Sequence, residues 1–129
     1  MNNQTNTGTF LHKEITEAII GAAFEVHQHL GYGYLEKVYQ RAMQVELRQR
    51  GLAAVLEHPI QVHYKGVVVG DYAADLFVAE TVMVEIKVAS EYCVSDEAQL
   101  INELVSTGVK VGLLINFGRE RVEFKRLVH

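Results

Sequence analysis

The run Val109–Phe117, VKVGLLINF, constrains this chain more than any other stretch. It is nearly continuous in apolar residues, as expected of a strand covered on both faces. Upstream, Val82, Val84, Ile86 and Val88 alternate with Met83, Glu85 and Lys87, the period of a strand. Between the two, Ser95-Asp96-Glu97 reads as a helix start, with a capping Ser and acids in the first turn. That helix is expected to run to Thr107, with Gly108 as its stop. A strand–helix–strand path from residue 82 to 117 requires a crossover, and a crossover joins parallel strands. The sheet is therefore expected to be mixed.

Other segments fill in around this unit. Ile15, Ala18, Ile19, Ala22, Val26 and Leu30 follow a helical period up to Gly31. A second helix is predicted from about Tyr34 to Arg50, with Leu35, Val38, Ala42 and Val45 on its buried stripe and Gly51 as its stop. Ala53–Leu56 reads as a short apolar strand. Ile60, Val62 and Tyr64 alternate with Gln61, His63 and Lys65 before a Lys65-Gly66 turn. Strands are also expected at Asp71–Val78, Val82–Val88 and the C-terminus beyond Gly118. The expected fold class is α/β of an α+β-like kind: a mixed central sheet flanked by helices, in the order α-α-β-β-β-β-α-β-β. At 129 residues the chain is expected to form one domain over residues 10–129, behind a loose polar tail at residues 1–9.

Composition narrows the function classes. No apolar run approaches the roughly 20 residues that cross a bilayer, and MNNQTNTGTF has neither the basic start nor the apolar centre of a signal peptide. The single Cys93 cannot form an internal disulfide, which fits a reducing cytoplasm. A net charge of −4 gives no global signature of nucleic-acid binding. His27 and His29 are two apart on a helix and point to different faces, a poor metal spacing. Cys93 has no neighbouring histidine or second cysteine and reads as packing. The loop Gly31-Tyr32-Gly33 lacks the spacing and Lys-Ser/Thr ending of a phosphate-binding loop.

The chemistry concentrates in DYAADLFVAETVMVEIKVA, Asp71–Ala89. If the apolar faces Tyr72/Ala74/Leu76/Val78 and Val82/Val84/Ile86/Val88 are buried together, Asp75, Glu85 and Lys87 share the other side. A three-residue loop at Ala79-Glu80-Thr81 pairs Val78 with Val82 and, counting outward, Asp75 with Glu85. Opposed like charges are unfavourable in a ladder. Either Lys87 or a metal ion would compensate them. Mg²⁺ or Mn²⁺ with two carboxylates suits phosphodiester hydrolysis, since such hard ions take oxygen ligands. Lys87 would then orient a water or offset charge on the phosphate. A solvated strand face carrying Asp, Glu and Lys is the plain alternative, weakened by Ala73, Phe77 and Met83 on the same face.

Asp75…Glu85-x-Lys87 in this setting resembles the PD-(D/E)XK nuclease superfamily. Together IIGAAFEVHQHLG, GYLEKVY, YAADLFV, VMVEIKVAS, EAQLINEL and GVKVGLLINFG are similar to the GxxExxY protein family, with Gly33-x-x-Glu36-x-x-Tyr39 as its name motif. The resemblance covers about residues 10–129. It implies that Asp75, Glu85 and Lys87 occupy metal and catalytic positions. It also implies that Glu36 adds an acid to the metal site and that Gln99 is a polar position on the following helix. Where one branch has Tyr in a Gln-x-x-x-Tyr pattern, this chain has Glu103. Tyr39, three residues after Glu36, is either a buried amphipathic side chain or a support for Glu36 through its hydroxyl.

The function expected is therefore a Mg²⁺- or Mn²⁺-dependent nuclease acting on DNA in preference to RNA. A homodimer is expected from the small size of the core. Local basic groups, Arg119, Arg121, Lys125 and Arg126 at the C-terminus and Arg41, Arg48 and Arg50 on the second helix, are candidates for positioning a phosphate backbone. The alternatives are a non-catalytic module of the same fold that binds a protein or nucleic acid, and a hydrolase of small phosphate esters.

Overall fold

The structure is a computed structural model that describes residues 12–129. The tail expected at residues 1–9 lies outside the described residues. Three helices, α1 (Lys13–Leu30), α2 (Glu36–Gln49) and α3 (Ser95–Thr107), accompany five strands. These are β1 (Ala54–Tyr64), β2 (Val67–Val78), β3 (Val82–Lys87), β4 (Val111–Phe117) and β5 (Val122–Val128). The strands lie in chain order, β1-β2-β3-β4-β5. β3 and β4, joined through α3, are parallel, and the other neighbouring pairs are antiparallel. The sheet is mixed, as the crossover demanded.

Two apolar layers hold it together. α1 and α2 pack on one face, with Ile19, Ala22, Tyr39, Met43 and Leu47 against Val84, Ile86, Leu113, Ile115 and Phe117. α3 packs on the other, with Leu100 and Leu104 against Met83, Leu114 and Leu127. All seven residues of β4 are buried, the two-sided cover that its apolar run predicts. Tyr39 stacks on Phe117 with ring centroids 4.6 Å apart, joining α2 to the end of β4.

Three local expectations change. The two short stretches at 53–56 and 60–64 form one strand, β1, so three strands precede α3. β1 is an edge strand, where Pro59 can lack a donor, and Glu57 absorbs a kink at φ 56°. The buried stripe of α2 is Tyr39, Met43 and Leu47, at four-residue spacing. Leu35, Val38 and Val45, expected inside, are 80 %, 37 % and 56 % exposed. Tyr39 on Phe117 sets the rotation of the helix and turns the alternative stripe outward. Ser95 does not cap α3. The N-cap position is Val94, with no side-chain cap bond, and Ser95 Oγ lies 3.0 Å from Cys93 Sγ.

The α3 layer is tightly seated. A Cβ on Gly112 of β4 would stand 3.1 Å from Leu100 Cδ2. Gly112→Ala is therefore expected to cost about 1–3 kcal/mol through overpacking. Urea unfolding measures it as a lower midpoint at unchanged slope; an unchanged midpoint would show that α3 slides freely.

Candidate functional site

The site forms where β2 leaves β3. The three-residue loop at 79–81 sets Val78 opposite Val82, and the ladder continues through Phe77–Met83 to Leu76–Val84. It ends there. The next pair, Asp75 with Glu85, was expected as a ladder pair and does not form. Asp75 instead turns its carboxylate onto the backbone of β3, where Oδ2 accepts the Ile86 N–H at 2.6 Å. Its Oδ1 accepts from Gln40 Nε2 of α2 at 2.8 Å. On the β1 side the pairing skips the same level, from Leu56–Leu76 to His58–Ala74, with Glu57 at φ 56° between them.

Glu85 is held from the opposite layer. It is only 7 % exposed, and the Glu103 carboxyl of α3 contacts it. Glu103 is itself 7 % exposed and accepts from Gln99 Nε2 at 3.2 Å. Gln99 thus reaches the site through Glu103. Glu85 Oε2 and Glu103 Oε1 are buried without a hydrogen-bond partner. A proton shared by the two carboxyls, or a cation, would satisfy both.

The electrostatics follow from this burial. Desolvation pushes the Glu85 carboxyl up to about 9, and the Asp75 charge, the Glu103 charge and the Glu103 hydrogen bond add to the rise. Burial likewise raises Asp75 to about 6. The Ile86 N–H opposes that rise, while the charges of Glu36 and Glu57 reinforce it. The Lys87 ammonium pulls both carboxyls down, without offsetting the burial. Lys87 closes β3 and is half-buried, in register with Asn116 of β4. Asn116 ties down the chain after Lys87, accepting the Ala89 N–H at 2.9 Å and donating to the Ala89 carbonyl at 3.0 Å.

Glu36 is the exposed first residue of α2, and its charge acts on Asp75. Tyr39 does not hold it: the Tyr39 hydroxyl donates to the Gly31 carbonyl at 2.5 Å. Tyr39 therefore anchors the loop that leads to Glu36. The residues overlooked in sequence are Gln40 and, as a buried partner of Glu85, Glu103. Gln40 stands four residues after Glu36, a spacing that places the two on one helical face and offered a signal. Glu103 stands four residues after Gln99 in the Gln-x-x-x-Tyr pattern, which marked the position, but its contact with Glu85 is made across the α3–sheet interface and was not legible. Of the basic groups, Arg50 pairs with Glu46 at 2.8 Å and Arg48 donates to the Ala54 carbonyl at 3.4 Å. Arg119 and Arg121 lie beside the ends of β3 and β4, on the β4–β5 turn.

A hard divalent cation fits the donor chemistry here. The groups are oxygens, Glu85 Oε2 is an unsatisfied buried acceptor, and burial raises the proton affinity of both carboxyls. Among the described residues, however, no three His, Cys, Asp or Glu side chains converge as a preformed cluster. Both Asp75 oxygens already have donors.

A mixed sheet with a parallel pair at its centre, carrying buried carboxyls and a lysine at the end of β3, defines a nuclease-like core. The chain belongs to the PD-(D/E)XK nuclease superfamily, which it matches over residues 13–127. Nucleases of this superfamily generally use divalent metals and bind nucleic acid. The fold is similar to that of the crystal structure of SSO0001, with a TM-score of 0.53 and 15 % sequence identity. The alignment covers 95 % of this chain and 61 % of SSO0001, so this chain spans about three fifths of that protein's length. No curated protein matches it. Among the described residues, no helix is long and apolar enough to cross a membrane.

Proposed function

We propose that the protein is a divalent-metal-dependent nuclease that hydrolyses phosphodiester bonds, with DNA as the favoured substrate. The observation that carries this reading is a pair of carboxyls with raised proton affinity, the half-buried Asp75 and the buried Glu85, followed by Lys87. Asp75 and Glu85 would hold Mg²⁺ or Mn²⁺, with Glu36 adding negative charge from the start of α2. When bound, the cation supplies a Lewis acid for the phosphate and a more acidic water. Lys87 places its ammonium beside the reacting phosphate and offsets charge that develops there. Gln40 and Ile86 N–H hold the Asp75 carboxylate in place, while Gln99 and Glu103 do the same for Glu85. A homodimer would extend the small surface over a duplex, and a cytoplasmic setting agrees with the lone Cys93.

The test incubates the purified protein with linear, circular and single-stranded DNA, with Mn²⁺, Mg²⁺ or EDTA. Cleavage is expected with metal and is expected to vanish in EDTA and in Asp75→Ala. Cleavage that persists in Asp75→Ala would assign the activity to a contaminant. One observation favours a second reading, a non-catalytic module with a nuclease fold: among the described residues, no three ligand side chains converge. Calorimetry separates the two, since a folded protein that ignores millimolar Mn²⁺ is the module.

A further inference from the structure

A second feature adjoins this site at the carboxyl ends of the parallel pair β3 and β4. Ligands of open α/β sheets bind in the crevice outside such strand ends. Here a cavity of about 510 Å³ is lined by Ser90, Tyr92, Gly118, Arg119, Arg121 and Glu123. It starts three residues beyond Lys87, and the Asn116–Ala89 hydrogen bonds fix its wall relative to the site. A cavity of this size accommodates a small ligand.

Arg119 lines one side of the cavity and is backed by a tyrosine that lies outside the lining. The Arg119 guanidinium lies 5.3 Å from the ring centroid of Tyr32. Tyr32 belongs to the same loop that ends at Glu36, and the Tyr39–Gly31 hydrogen bond pins that loop. Among the described residues Arg119 forms no ion pair, whereas Arg121 faces Glu123 at 3.9 Å. The exposed Glu91 and Glu120 also border the cavity. With three carboxylates around it, the cavity is poorly suited to a bare inorganic anion. It suits a nucleobase, whose amino groups donate to carboxylates and whose faces stack on guanidinium planes.

We propose that this cavity is a subsite for one unpaired nucleotide, its base stacked on the Arg119 guanidinium that Tyr32 supports from behind. The proposal deepens the nuclease reading, on which it rests for the identity of the ligand as part of a polynucleotide. Its consequence is a preference for single-stranded segments or frayed ends, because a base within a duplex cannot reach the stacking surface.

Fluorescence anisotropy of a short 5′-labelled single strand, with the full chain in EDTA, tests it without any need for cleavage. Tyr32→Ala and Arg119→Ala are expected to weaken binding about 5- to 100-fold, the range for loss of one base-stacking contact. Tyr32→Phe is expected to bind within about twofold of the parent, and inorganic phosphate is expected not to compete. Unchanged affinity in both alanine variants overturns the subsite, as does an equal loss on a blunt duplex or no binding by the parent protein. If the predicted binding pattern occurs without cleavage under any metal condition, the subsite stands and the nuclease reading falls. If Lys87-dependent cleavage occurs but both alanine variants keep the parent's KM and strand affinity, the nuclease reading stands and the subsite falls.

Discussion

Glu85→Gln is expected to raise the thermal midpoint of the metal-free protein by several degrees at about pH 8, and to leave it nearly unchanged at about pH 5. The carboxyl of Glu85 titrates near 4.5 in an unfolded chain and at about 9 in the fold. Between those values the folded state holds the proton more tightly than the unfolded state. Stability is then fully present below 4.5 and falls as pH rises toward 9, by up to about 1.4 kcal/mol per pH unit for one group. Asp75 adds to the same slope between its ordinary 3.8 and about 6. Glutamine keeps a donor for Glu103 and carries no charge, so it removes the Glu85 part of the slope. Thermal melts from pH 5 to 9 in EDTA measure this; a parent protein whose midpoint does not fall over that range would contradict it.

A bound cation reverses the sign. It favours the ionised carboxyls, so Mn²⁺ is expected to release protons on binding and to bind more tightly as pH rises toward 9. At a hundredfold excess over Kd it would stabilise the parent protein by about 2.7 kcal/mol. Glu85→Gln is expected to lose that response. Calorimetry in buffers of different ionisation enthalpy detects the released protons directly.

The second large effect falls on Lys87. Lys87→Ala is expected to lower kcat by about 10²–10³, the range for loss of one preorganised electrostatic contact to the transition state. Mn²⁺ affinity is expected to hold or rise, because Lys87 is a positive charge beside the two carboxyls. A merely structural lysine would give a different pattern, with metal affinity and folding falling together with rate. Paired measurement of kcat and Mn²⁺ binding on the same preparation distinguishes the two.

Part of the fold was legible because local patterns left few alternatives. The apolar run of β4, the alternation of β3 and the stop at Gly108 implied a parallel pair, and the 79–81 loop implied the register from Val78–Val82 to Leu76–Val84. The α2 stripe was not legible. Leu35, Val38 and Val45 have the right period, but so do Tyr39, Met43 and Leu47, and only the surface offered by Phe117 decides between them.

At the candidate site, the sequence by itself determined where the proposed groups lie along the chain: Asp75, Glu85 and Lys87 on adjoining strands, with Glu36 at a helix start. The tertiary structure decided how those groups meet. The departure of β2 from β3 turned an expected ladder pair into a carboxylate bound to the Ile86 N–H. Gln40 came from one helical layer and Glu103 from the other, and Tyr39 went to the Gly31 loop rather than to Glu36. Alternation along a strand specifies which way a side chain points only while its ladder continues. Where the strands separate, partners come from distant parts of the chain, and burial by those partners sets the proton affinities.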